Sequence, residues 1–111
     1  MEPVLTQFNP DWLLISAGYD AHYEDPLAEL RLEASDYGWM AARLSRALPS
    51  LPVIAFLEGG YHLRALAASV AATLVGLVDG EPEPSGTFHS PAGAFRAVED
   101  LHVVASRYWS L

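Results

Sequence analysis

Two short runs of unbroken apolar residues limit what this chain can fold into. Residues 12–17 read Trp-Leu-Leu-Ile-Ser-Ala and residues 52–57 read Pro-Val-Ile-Ala-Phe-Leu, each bounded by turn residues. A strand with one wet face alternates apolar and polar residues. A strand without alternation suits a parallel sheet covered on both faces. Between the runs, Tyr37, Met40, Leu44 and Leu48 recur at helical spacing, predicting a helix over about 35–48 that Pro49-Ser50 ends. Strand, helix, strand at this length makes a parallel pair joined by a right-handed crossover. Such a pair is not a finished domain, because it is marginal alone and leaves its edges unpaired. The expectation is an α/β chain with two parallel strands and flanking helices. It would form a portion of a larger parallel-sheet fold or assemble with itself.

The rest of the chain reads as helix and loop. A short helix over 3–8 precedes the breaker Asn9-Pro10-Asp11. After the second strand, Leu63, Leu66, Val70, Leu74 and Leu77 mark a helix over about 62–78. Residues 79–89, with Pro82, Pro84 and Gly86, read as a surface loop. Ser90-Pro91 reads as an N-cap followed by proline at the first helical position. The last helix, about 91–107, would turn Ala94, Val98, Leu101, Ala105 and Tyr108 inward. No repeat or low-complexity tract interrupts this order.

Composition narrows the function classes. The 111 residues contain no cysteine, so a disulfide framework and a thiolate metal site are excluded, and any metal would need histidine and carboxylate. A net charge of −8 argues against a nucleic-acid partner. That charge suits a cationic substrate such as a polyamine or basic peptide, and equally suits ordinary solubility. The N-terminus has no basic patch followed by an apolar stretch, and the longest apolar run, residues 65–78, is too short to span a bilayer. A cytoplasmic protein without a membrane partner is expected. All six basic residues are arginine, which with the alanine content suggests a bacterial source rich in GC.

Ligands of open parallel sheets bind outside the carboxyl ends of the strands. Here the first strand runs into Ser-Ala-Gly-Tyr-Asp-Ala-His over 16–22 and Asp25-Pro26-Leu27, and the second into Glu58-Gly59-Gly60-Tyr61. Adjacent parallel strands would bring Asp20 and Tyr61 to one rim. Asp20 and His22, two apart, have a spacing that suits chelation of one metal. Asp20, His22, Glu24 and Asp25 equally read as solvated loop residues that cap turns. Gly59-Gly60 permits close backbone approach to a ligand or merely a strand-to-helix turn. Tyr61 suits an oxyanion donor, and it also suits a helix start.

Taken together, these motifs resemble the histone deacetylase family, which includes bacterial acetoin-utilisation proteins and acetylpolyamine amidohydrolases. The resemblance runs through residues 16–22, Asp25-Pro26-Leu27, residues 57–61 with the helix that follows, and the tail over 106–111. It implies an arginase/deacetylase-like fold and a zinc-dependent hydrolase of acetyl-amides on lysine or polyamines. Asp20 matches the aspartate zinc ligand, and Tyr61 matches the tyrosine that stabilises the tetrahedral oxyanion. Leu27 matches a residue lining the acyl-lysine tunnel, with Gly59 and Gly60 shaping its wall. Glu58 and the Asp-Ala-His loop resemble the class II and bacterial branch.

The departures are as informative. The family's other two zinc ligands form an aspartate-x-histidine pair, and a tandem histidine pair serves as base and acid. This sequence has no tandem histidines, and its one Asp-x-His, at residues 20–22, belongs to the later motif. His62 stands where relatives often carry asparagine, and Glu33 stands where a hydroxyl would cap better; both weaken a helix cap. His62, His89 and His102 read as surface or helix-side residues. The resulting expectation is the C-terminal portion of a zinc deacetylase, inactive alone, partnered by a missing N-terminal half. The rival is a non-enzymatic interaction module or dimer. A serine hydrolase is excluded, since Ser16 lacks the Gly-x-Ser-x-Gly elbow.

Overall fold

The computed structural model describes residues 2–80 and 92–111. Among these residues the chain forms α1 (Glu2–Phe8), β1 (Leu13–Ala17), α2 (Ala34–Ala47), β2 (Val53–Leu57), α3 (Leu63–Asp79) and α4 (Ala92–Ala105). β1 and β2 pair in parallel, with Leu13 opposite Val53 and Ala17 opposite Leu57. The crossover between them is α2. Most of the expected loop over 79–89, together with Ser90-Pro91 and His89, lies outside the described residues.

Local chemistry sets the element ends. α1 stops where Asn9 takes a left-handed conformation at φ 49° and bonds Leu5 O through its N–H at 3.0 Å. Asparagine tolerates that region better than most residues, and Pro10 then blocks further helix. At the start of α2, the Asp36 carboxylate accepts the Glu33 N–H at 2.7 Å. At the start of α3, His62 Nδ1 accepts the Ala65 N–H at 3.3 Å. The two caps expected to be weak are therefore both closed by side chains. Gly80, at φ 65°, ends α3 in the left-handed conformation that glycine adopts without cost.

The helix faces differ from those expected. On α3 the buried residues are Ala65, Ser69, Thr73 and Gly76, while Leu63 and Leu74 are exposed. On α2 they are Tyr37, Gly38, Ala41 and Ala42, and Met40 is exposed. Small residues win because α2 and α3 pack almost backbone to backbone. A Cβ on Gly38 would lie 3.0 Å from Ala72 O, and one on Gly76 would run into the Gly38 carbonyl. Of the expected stripes, Tyr37, Leu66 and Val70 still reach the core, while Met40, Leu63 and Leu74 do not.

The core cluster joins sheet to helices: Ala17, Tyr19 and Tyr37 are buried, with Ile15, Leu32, Leu66 and Val70 packed around them. The Tyr19 and Tyr37 rings meet tilted, centroids 5.1 Å apart. Elsewhere the apolar surface stays open. All five residues of β2 are exposed, so the cover on both faces that its sequence predicts is not supplied by the described residues. On α4, the expected inward residues Val98 and Leu101 are exposed, as is Tyr108 beyond it. The C-terminal tail is nevertheless tied to α1, where the Gln7 side chain donates to Ser110 O at 2.7 Å and accepts the Ser110 N–H at 2.9 Å. No helix among the described residues is long and apolar enough to cross a membrane.

Candidate functional site at the carboxyl ends of the strands

The ladder between β1 and β2 continues past both strands and builds the rim. Glu58 N–H donates to Ala17 O at 3.1 Å, and Tyr19 N–H donates to Gly59 O at 2.8 Å. This registers Asp20 against the glycine pair. A Cβ on Gly59 would sit 3.0 Å from the Asp20 carboxyl carbon, and one on Gly18 would sit 3.4 Å from Asp20 Oδ1. The two glycines thus make room for one carboxylate. Ser16, Gly18, Asp20, Glu58, Gly59 and Tyr61 line an open cleft of about 500 Å³ around it. A separate hollow, lined by Leu5, Leu13, Ile15, Met40 and Leu44, is apolar and carries no acid or base besides its tyrosines.

Below the rim lies a carboxylate with a different task. Asp25 is buried, and its Oδ2 accepts the Tyr61 N–H at 2.6 Å while its Oδ1 accepts the Leu27 N–H at 3.0 Å. Burial raises the pKa of this carboxyl, but the N–H groups of Tyr61, Leu27 and His62 lower it further, leaving a net depression. Gly60, at φ +128°, makes the sharp bend that delivers the Tyr61 N–H to Asp25. The Tyr61 ring itself is 58% exposed at the cleft mouth.

His22 does not share the Asp20 cleft. It is buried and stacked on Tyr23 at 4.7 Å, with Nδ1 accepting the Glu24 N–H at 3.1 Å. It faces a second hollow with Glu33 and Arg64. The chelating Asp20–His22 pair is therefore not formed. The alternative of solvated turn residues also fails for His22 and Asp25, which cap turns from buried positions.

Of the residues singled out in the sequence, Asp20, Gly59 and Tyr61 converge on one cleft. Leu27 is 69% exposed and outside the cleft lining, linked to it through Asp25. Gly60 lies beneath, where a Cβ would meet Leu66 at 2.9 Å and Tyr19 at 3.1 Å. Sequence reasoning named Asp25 as a turn cap, which it is toward Leu27, but missed its burial and its bond to Tyr61. The available signal for the cap was Asp-Pro-Leu, in which an aspartate two residues before an amide suits an Asx turn. Among the described residues no three histidine or carboxylate groups converge to hold a metal ion. A catalytic zinc takes three protein ligands, so Asp20 and Glu58 on this wall do not by themselves make a zinc site.

Comparison with known proteins agrees with this architecture. The histone deacetylase domain model matches residues 1–77. Histone deacetylase 10, chloroplastic, of Oryza sativa subsp. japonica is 42% identical over 93 residues, covering 81% of this chain and 21% of that protein. The polyamine deacetylase HDAC10 of Homo sapiens is 31% identical over 109 residues, covering 96% of this chain and 16% of that protein. The structure of the histone deacetylase Clr3 superposes with a TM-score of 0.87 at 29% identity, covering 97% of this chain and 18% of that one. The chain spans between 12% and 31% of the length of curated relatives it matches. With the domain model matched over residues 1–77 and its strand pair and flanking helices superposing on a histone deacetylase, the chain belongs to the histone deacetylase domain family.

Proposed function

We propose that this chain forms part of the active centre of a zinc-dependent deacetylase that hydrolyses acetyl-amides of lysine or of a polyamine. The observation that carries the reading is the convergence of Asp20, Gly59 and Tyr61 on one cleft at the carboxyl ends of adjacent parallel strands. Asp20 serves as one zinc ligand, its carboxylate accommodated by Gly18 and Gly59. Tyr61 donates its hydroxyl to the substrate carbonyl oxygen as negative charge develops there, a contribution that matters most in the transition state. Leu27, Gly59 and Gly60 bound the path of the acylated chain. The relatives named as histone and polyamine deacetylases support an acetylated amine as substrate, and the net charge of −8 suits a cationic one. A cytoplasmic location belongs to the same reading.

The 111 residues contain neither a tandem histidine pair nor a second Asp-x-His, so ligands and base must come from other polypeptide. The purified chain with zinc therefore leaves acetyl-lysine peptides and acetylspermidine intact. Turnover that a chelator abolishes would overturn this. In an assembled enzyme containing this segment, Tyr61→Phe lowers kcat on the order of 10²–10³-fold, the usual loss for one oxyanion donor. An unchanged kcat would remove Tyr61 from the chemistry.

One observation favours a second reading, an interaction module without catalysis. Every residue of β2 is apolar and exposed, and α4 presents Phe95, Val98, Leu101 and Val104 to solvent. Sedimentation showing a defined dimer with protected β2 amides would support that module. A monomer that gains order only with a separately supplied N-terminal half would support the divided enzyme.

A further inference from the structure

We infer that Asp25 is a positioning residue that locks Tyr61 and Leu27 into one unit, so that the hydroxyl at the cleft mouth and the exposed leucine are set together. The roles of Tyr61 and Leu27 rest on the deacetylase reading; the lock itself does not. Tyr61 and Leu27 lie on different loops, one after β2 and one after β1. Both direct their backbone N–H groups at the same buried carboxylate, Tyr61 at 2.6 Å to Oδ2 and Leu27 at 3.0 Å to Oδ1.

Neither side chain is well held by its own packing, since Tyr61 is 58% and Leu27 69% exposed. Their placement therefore depends on the backbone, and Asp25 bonds the backbone at both points. The carboxylate is in turn fixed from its own side, where Asp25 N–H donates to His22 O at 2.9 Å. A carboxylate is required for this geometry. Its two oxygens both accept, whereas an amide offers one acceptor and one donor to the two N–H groups. Charge-assisted bonds to backbone N–H are also stronger than neutral ones.

Amide hydrogen exchange of the full chain, read residue by residue by NMR, tests this without metal or substrate. In the wild-type chain the Tyr61 and Leu27 amides are protected, and the Tyr61 proton resonates well downfield. In Asp25→Asn one of the two keeps its protection while the other exchanges on the order of tenfold faster or more. In Asp25→Ala both accelerate and the Tyr61 resonance moves upfield. The Tyr19 and Leu32 amides, bonded to Gly59 O and Ala21 O, hold their rates in Asp25→Asn. Unprotected Tyr61 and Leu27 amides in the wild type would overturn the inference. So would unchanged rates in Asp25→Asn, or an equal acceleration of all four amides there, which would make Asp25 a general stability residue. Should Asp25→Ala fail to fold, the wild type and Asp25→Asn decide. Unaltered exchange removes the lock but leaves the deacetylase reading standing, whereas an unchanged kcat in Tyr61→Phe removes Tyr61 from the chemistry and leaves the lock standing.

Discussion

Asp25 Oδ2 accepts the backbone N–H of Tyr61 at 2.6 Å, joining residues 36 positions apart. The bond crosses from the loop after β1 to the turn before α3, so one buried carboxylate couples the two halves of the rim. Protonating that carboxylate should loosen the link between the two loops.

The Asp25 carboxyl has a folded pKa below its ordinary value of 3.8, because the backbone N–H bonds outweigh burial. A depressed carboxylate pKa contributes stability that is fully present above the unfolded value and lost as pH falls through the folded one. Urea midpoints of wild type and Asp25→Asn should therefore differ by a constant amount above about pH 5. The gap should close as pH drops below 3.8 toward the lowered folded value. A gap that stays constant down to pH 2 would show that Asp25 is not the group responsible.

The two glycines of the rim should respond differently to alanine. Gly60 has φ +128°, and its Cβ would also press on Leu66 and Tyr19, so Gly60→Ala costs about 1–3 kcal/mol. Gly59 has no such conformational demand. Its Cβ would first meet the Asp20 carboxyl group, at 3.0–3.2 Å, which moves aside at a cost below about 1 kcal/mol. Urea unfolding checks the order of the two losses. The ¹³C shift of the Asp20 carboxyl should move in Gly59→Ala, and a static shift would place that carboxylate elsewhere.

Gly76 sets how closely α2 and α3 approach. Alanine there gains about 1 kcal/mol of helix propensity. It also drives a Cβ into the Gly38 carbonyl and to 3.0 Å from Ala42 N, neither of which yields without parting the helices. Overpacking of this kind costs about 3 kcal/mol, so the clash wins and Gly76→Ala is destabilising. Gly93, with nothing within 4 Å of its Cβ position, is the control. Gly93→Ala should be neutral or stabilising by up to about 1 kcal/mol. Equal effects at both positions would contradict the close helix contact.

Tyr37 should ionise well above the ordinary tyrosine value of 10.0. Burial first, then the negative charges of Asp20, Asp25 and Asp36, push its pKa up to about 12 from 10.0. An acid held neutral in this way contributes stability that is complete below pH 10 and lost as pH rises through about 12. In ultraviolet titration of phenolate, the difference between wild type and Tyr37→Phe should be a single component near pH 12. A difference component near pH 10 would contradict the burial of Tyr37 in the core.

The sequence by itself determined the order of elements, the parallel pairing and the meeting of Asp20 with Tyr61. Each depends on local composition or on a rule of chain connection: unbroken apolar runs, helical spacing, and the single hand of the crossover. It left open whether His22 joins Asp20, and tertiary structure decided against that by burying His22 against Tyr23 and capping Glu24 with its ring nitrogen. Periodicity found Tyr37, Leu66 and Val70 at the core, but the small residues of the contact between α2 and α3 were beyond its reach. Ala41, Ala42, Ser69 and Gly76 occupy the contact because the distance between two helices is a property of the pair. Asp25 was partly hidden for the same reason. Its turn bond to Leu27 is legible in Asp-Pro-Leu, but its other partner, Tyr61, is remote in the chain, and nothing in that stretch reveals a carboxylate that has left water to reach it.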